Sequence, residues 1–205
     1  VELQANGYTI ILDAGTGIIE LGNDLLKSHL ASGSSTLDRT PIQSIILFSH
    51  SHMDHVQGLP FFKPIYINSS KIHFFGERAQ GKTFQQYLSG SIFKLMFPVE
   101  LEDMPADIKI NELKETYAII LDQDFAEPQV VRYNHEEEIN VHENAVVITC
   151  MKSYTHPREG VTIYKVKCNN KTFVYATDKE SYIGEDVKLI NFSRGADLLI
   201  HDAQY

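Results

Sequence analysis

The stretch FSHSHMDHVQGLPFF, residues 48–62, places His50, His52, Asp54 and His55 within six positions. Imidazole and carboxylate are natural ligands for zinc and similar divalent ions. His50 and His52 stand two apart after the apolar run Ile45-Ile46-Leu47-Phe48. If the backbone stays extended there, both rings point the same way. Asp54 and His55 then begin a turn and aim at a second point nearby. Such a cluster suits two ions about 3.5–4 Å apart, the separation of two-metal hydrolases. A merely solvated, His-rich loop is the competing reading. It leaves unexplained why so many ligand-type side chains directly follow a buried strand.

Those side chains need a scaffold. Residues 2–13 read as a hairpin, with Asn6-Gly7 as its turn. DAGTG follows, and then Ile18, Leu21, Leu25, Leu26 and Leu30 recur at helical spacing. Residues 32–41 are a Ser- and Gly-rich loop. A short buried strand over 44–49 delivers the histidine cluster at its carboxyl end, where α/β folds bind ligands. Further strands are expected at 71–76, 108–113, 117–121, 145–151, 161–168, 171–177 and 196–201. Helices are expected at 82–97, interrupted near Gly90, and at 184–194. Strands with helices between and after them indicate a layered α/β sandwich. The segment 76–105 is rich in aromatic residues, packs in part into the core, and lies where a lid over the metal loop would lie.

The 205 residues suit one domain, and 43% of them are hydrophobic, enough for a sizeable core. No apolar run reaches the ~20 residues of a membrane helix, and no signal-peptide pattern opens the chain. A net charge of −9 without a Lys/Arg stripe gives weak nucleic-acid binding as the expectation. Cys150 and Cys168 form neither a disulfide framework nor a CxxC pair, which fits a reducing cytoplasm.

Taken together, these motifs resemble those of the metallo-β-lactamase-fold hydrolases. H-x-H-x-D-H after a strand is that superfamily's signature. ILDAGTG at 11–17 looks like its early Asp-x-Gly turn, THPREG at 155–160 carries its third histidine, and YATD at 175–178 its bridging aspartate. ADLLIHDAQY at 196–205 is similar to the branch of cyclic-phosphate phosphodiesterases and transfer-RNA 3′-processing ribonucleases. The resemblance implies a four-layer αββα sandwich. It also implies a chain that lacks the family's first strand and its C-terminal part, including one histidine ligand of the second metal.

By the same resemblance, His50, His52, His156 and Asp178 hold one metal, and Asp54, His55 and Asp178 hold a second. Asp13 is either an outer residue bracing the histidine loop or a plain turn carboxylate. Asp202 supports proton donation, or else packs or caps. Arg158 reaches a phosphate oxygen as a planar fork, or forms a surface salt bridge. Gly15 and Gly17 fit an anion site or a tight turn equally. His135 and His142 read as solvated surface, His73 as a strand residue, and His29 as lying on the polar face of its helix.

The expected protein is a dinuclear phosphodiesterase that cleaves a small or cyclic phosphodiester through a metal-bridged hydroxide, with Asp54 orienting the attack. Zinc is the first expectation for both ions, with manganese, iron or cobalt as alternatives, and a homodimer is a further expectation. Thioester or lactam hydrolysis, transfer-RNA processing and a non-catalytic metal-binding protein are the other readings.

Overall fold

The computed structural model describes residues 1–78, 81–93, 97–134, 139–156, 160–180 and 184–203. Its backbone falls into two compact units. Val1–Gln4 and Tyr8–Glu112 form the first; Ala5–Gly7 and Leu113–Tyr205 form the second.

The first unit is built on a sheet of order β1-β2-β3-β4-β5, comprising β1 (Glu2–Ala5), β2 (Tyr8–Leu12), β3 (Gln43–Leu47), β4 (Lys71–Gly76) and β5 (Asp107–Glu112). Asn6 and Gly7 both take positive φ, +46° and +84°, the conformation a tight hairpin turn requires. β2 through β5 run parallel. β3 is apolar on both faces, with Ile45, Ile46 and Leu47 all buried, as expected for an interior parallel strand. Its register sets Leu47 beside Leu12 on one side and Phe75 on the other. The chain therefore leaves β2 at Asp13 and β3 at Phe48 on the same sheet edge. Helix α1 (Gly17–Ala31) follows, and its Gly22 lies against Phe62 and Pro64, where a Cβ would come within 2.8 Å of the Phe62 ring.

Leu30, expected on the buried stripe of α1, is 47% exposed, and His29 is buried instead. Its Nδ1 lies 2.8 Å from the Thr40 carbonyl. That bond compensates the burial of a polar ring and ties the 32–41 loop to the helix end. The helix expected over 82–97 is also different. Among the described residues of that segment Phe84–Tyr87 is α-helical and Leu88–Phe93 widens into a π-helical turn, while residues 94–96 lie outside the described residues. The turn runs through Gly90, which lowers helix propensity. Phe84, Tyr87, Leu88 and Phe93 are all buried in the core of this unit.

The second unit holds a six-stranded sheet in the order β11-β10-β9-β8-β6-β7. These are β6 (Tyr117–Leu121), β7 (Gln129–Arg132), β8 (Val146–Ser153), β9 (Val161–Cys168), β10 (Lys171–Ala176) and β11 (Leu198–His201). Asn169 and Asn170 turn β9 into β10 with φ of +50° and +58°. The edge strand β7 has no counterpart among the expected elements. It is short and largely exposed, so no alternation marks it.

The helix Val187–Ser193 buries Leu189 and Phe192 against Met151, Ile163 and Val174. Asp186 caps it, accepting from the Leu189 N–H at 2.9 Å. The same carboxylate meets the Lys179 ammonium at 2.6 Å, and the Lys179 side chain is only 1% exposed. Burial opposes ionisation of Asp186. The Lys179 ammonium and the helix N–H groups outweigh it and hold the carboxyl below its usual range.

Asp186→Asn should keep the cap and remove the charge facing Lys179. The expected cost is about 3 kcal/mol, the lower end for one partner of a buried pair. Because the folded pKa lies below the unfolded one, the contribution is present at neutral pH and fades as pH falls through the folded value. Urea unfolding at pH 7 and in mild acid checks both. Equal stability of variant and parent at pH 7 would remove the pair from the account.

Candidate metal centre

Asp13 leaves β2 with φ +61°, a left-handed conformation rare outside glycine and asparagine. Its backbone N–H donates to the Leu47 carbonyl at 2.9 Å, which seats it beside the end of β3. From there its carboxylate organises the histidine loop. Oδ1 accepts from the Ser49 N–H at 2.7 Å, and Oδ2 accepts from the Ser49 hydroxyl at 2.7 Å. Oδ2 also lies 2.8 Å from His55 Nδ1.

With Asp13 as acceptor, proton bookkeeping gives the tautomer that each neutral ring adopts in these contacts. An ionised carboxylate only accepts, so His55 Nδ1 carries the proton it donates to Asp13. The Ser49 hydroxyl spends its one proton on Asp13. It therefore accepts from His50 Nδ1, 3.0 Å away. In the neutral form of each ring Nε2 is then the lone-pair nitrogen, the state in which imidazole binds a divalent ion. Ser49 is buried, and sequence reasoning missed it; the only signal was a hydroxyl residue between the strand and the first histidine.

His52 keeps an extended backbone, φ −68° and ψ 149°, and opens a 3₁₀ turn over Met53–His55. The His50 ring centroid lies 4.6 Å from that of His52 and 4.2 Å from that of His55. Ligand nitrogens of His50 and His52 come within 4.8 Å, as do those of His50 and His55. The Asp54 side chain is 72% exposed, and its Oδ2 stands 3.4 Å from His55 Nε2.

Backbone bonds lock this loop onto DAGTG. The Ala14 N–H donates to the His55 carbonyl at 2.7 Å, and the Gly58 N–H to the Ala14 carbonyl at 2.9 Å. A Cβ on Gly15 would sit 2.4 Å from the Asp54 carbonyl oxygen, and one on Gly58 would sit 2.2 Å from the Gly15 carbonyl oxygen. Gly15 is therefore needed for close backbone approach.

The remaining candidates belong to the second unit. His156 follows β8, with its Nδ1 3.8 Å from Glu180 Oε1. Asp178 follows β10 with φ +49°, and its Oδ2 accepts from the Thr177 hydroxyl at 2.8 Å. Asp13 and Asp178 share this unusual backbone state with three turn asparagines among the described non-glycine residues. Strained aspartates of this kind cluster at functional sites. The Asp202 N–H donates to the Ala176 carbonyl at 3.3 Å, and its own carbonyl meets His201 Nδ1. Arg158 and His135 lie outside the described residues. His142 is a surface residue, 3.4 Å from Asp124, and His73 is a half-buried strand residue stacked on Phe75. Cys150 is buried, with its thiol donating to the Lys114 carbonyl at 3.6 Å, and Cys168 is half-buried; neither is in a disulfide. Among the described residues no helix is long and apolar enough to cross a membrane.

Residues 8–205 match the family model described as β-lactamase superfamily domain. No curated protein matches the chain. Solved structures that share its fold include the following three. The metallo-β-lactamase fold protein YhfI from Bacillus subtilis aligns with 97% of this chain at 17% identity and a TM-score of 0.51. Unliganded yeast PDE1 aligns with 90% at 14% identity and 0.52. The short form of human tRNase Z, ELAC1, aligns with 100% at 17% identity and 0.52. The chain spans 60% of YhfI, 61% of PDE1 and 70% of ELAC1. The match over nearly the whole length, on a chain with two sheets and few helices, identifies the fold: this chain belongs to the β-lactamase superfamily and has the metallo-β-lactamase fold.

Proposed function

We propose that the chain carries the catalytic centre of a dinuclear metal-dependent hydrolase that cleaves a small or cyclic phosphodiester. The observation that carries this reading is the Asp13–Ser49 network, which presents His50 and His55 through Nε2. A solvated loop has no use for two rings of fixed tautomer. The donor set of imidazoles and carboxylates fits zinc first, then manganese, iron or cobalt.

In this reading His50, His52, His156 and Asp178 hold one ion, and Asp54, His55 and Asp178 serve the second. Bound divalent ions would lower the pKa of water from 15.7 towards about 7 and stabilise charge growing on phosphoryl oxygens. The chain's own groups do the rest. Asp54, exposed beside His55, orients the attacking water and takes its proton. Asp13 holds His55 Nδ1, and through Ser49 it holds His50 Nδ1, so the rings cannot flip their donor atoms. Asp202 supports delivery of a proton to the leaving oxygen, and Arg158 contacts the phosphate. Segment 76–105 walls the pocket; the half-exposed Phe61, whose ring lies 5.6 Å from that of Phe97, offers a nucleobase an apolar face. A cytoplasmic homodimer completes the reading.

A phosphodiester substrate is supported by the HDAQY segment and by likeness to proteins named PDE1 and tRNase Z. The net charge of −9 favours a small substrate over a polyanion. One panel tests this on the full-length protein: bis-p-nitrophenyl phosphate, a 2′,3′-cyclic nucleotide, an acyl-glutathione thioester, a chromogenic lactam and a transfer-RNA precursor at several salt concentrations. Turnover of the first two is expected. Turnover of only the thioester or lactam would overturn the phosphodiester reading. Tight, steeply salt-dependent binding with accurate 3′ cleavage would assign the protein to transfer-RNA processing instead.

A further inference from the structure

The histidine loop is gripped from a second direction. Within residues 81–93, Thr83 is the helix cap: its hydroxyl accepts from the Gln86 N–H at 3.2 Å while the Gln86 side chain accepts from the Thr83 N–H at 3.0 Å. This capping box starts the single helical turn Phe84–Tyr87. Phe84 and Tyr87 are three apart, so they share one face of that turn. Phe84 packs on Phe48, ring centroids 5.2 Å apart, and against Gly76, where a Cβ would lie 2.6 Å from its ring. Tyr87, only 4% exposed, donates its hydroxyl to the Ser51 carbonyl at 2.6 Å. One helical turn thus holds residues 48 and 51, on either side of His50. The π-helical turn Leu88–Phe93 that follows is clipped by the Ser89 hydroxyl, which donates to Glu102 at 2.7 Å. Such turns are rare and recur at functional sites.

We infer that Tyr87 is a positioning residue for the metal centre. The inference rests on the metal-site reading above. The Ser51 carbonyl belongs to the peptide that joins His50-Ser51 to His52. Its direction sets the pitch of the extended segment from which both rings project. Asp13 and Ser49 fix His50 and His55 through their Nδ1 atoms, while His52 projects from extended backbone with its ring centroid 4.6 Å from that of His50. The Tyr87 hydroxyl constrains that backbone. It also makes the 81–93 segment and the ligand geometry one mechanical unit. A substrate that moves this segment would thereby alter the metal site.

Tyr87→Phe removes the hydroxyl and keeps the buried ring. The full-length variant and parent should be compared for cobalt(II) affinity by chelator competition, for melting temperature without metal, and for amide exchange of residues 50–56 without metal. The expected result is cobalt affinity about 10- to 100-fold weaker, as for other groups that orient ligands. Faster exchange in the loop and a nearly unchanged metal-free melting temperature should accompany it. Parental cobalt affinity in the variant would overturn the role of Tyr87. So would a metal-free melting temperature that falls in step with affinity, since the hydroxyl would then be supporting the fold and not the site. A parent protein that takes up no cobalt would overturn the metal-site reading and this inference with it, an outcome distinct from the other two.

Discussion

Asp54→Ala should lower phosphodiester turnover by about 10²–10⁴-fold, the range for loss of a positioned acid–base group, with almost no change in melting temperature. The asymmetry follows from where the side chain sits. It is 72% exposed and contributes nothing to the core, so truncation leaves no cavity. What it loses is a carboxylate 3.4 Å from His55 Nε2, at the position proposed for the second ion and the attacking water. Circular dichroism and thermal melts read the fold, and steady-state kinetics on bis-p-nitrophenyl phosphate read the chemistry. Near-parental turnover would remove Asp54 from the mechanism. A large drop in melting temperature would show that its role is structural.

Gly15→Ala should be nearly as damaging to activity, although Gly15 is not a proposed ligand. Its added methyl would meet the Asp54 carbonyl oxygen at 2.4 Å, and backbone cannot swing aside as a long side chain can. Either the DAGTG turn or the histidine loop must shift. The bonds from Ala14 N–H to the His55 carbonyl and from Gly58 N–H to the Ala14 carbonyl resist that shift. Overpacking of this kind costs about 1–3 kcal/mol, and a misplacement of about 1 Å at a catalytic group costs about 10²-fold in rate. Turnover and metal affinity are therefore expected to fall together while the protein still folds. A Gly15→Ala protein with unchanged kinetics would contradict the tight backbone packing of the site.

Much of this centre was legible because it is local. His50, His52, Asp54 and His55 lie within one turn, and the run Ile45-Ile46-Leu47 announces the strand that delivers them. The hairpin turns at Asn6-Gly7 and Asn169-Asn170 were equally plain, since side-chain chemistry there matches the positive φ the turn needs. The bracing of the loop was legible only in part: Asp13 as a brace was one of two readings, and the hydroxyls of Ser49 and Tyr87 were not foreseen. Ser49 and Asp13 are 36 positions apart, and so are Tyr87 and Ser51. They meet only because β2 and β4 flank β3 in parallel register, and neither hydroxyl stands out in a linear chain. The helix expected over 82–97 is present across the described residues 84–93, but its change from α to π pitch was not legible, for a related reason. Its apolar residues suit a helical stripe, but tertiary packing of Phe84 on Phe48 and of Tyr87 on Ser51 decides the backbone path, and the α-turn ends at Tyr87. His29 was misplaced because a polar ring on a helix reads as exposed until its acceptor, the Thr40 carbonyl, is known.

The most direct measurement is bis-p-nitrophenyl phosphate turnover by the full-length protein before chelation, after verified metal removal, and after titration with zinc or manganese. The account predicts that nearly all activity disappears with the metal and returns as two ions per chain are restored. Unchanged hydrolysis by protein shown to be metal-free would contradict it.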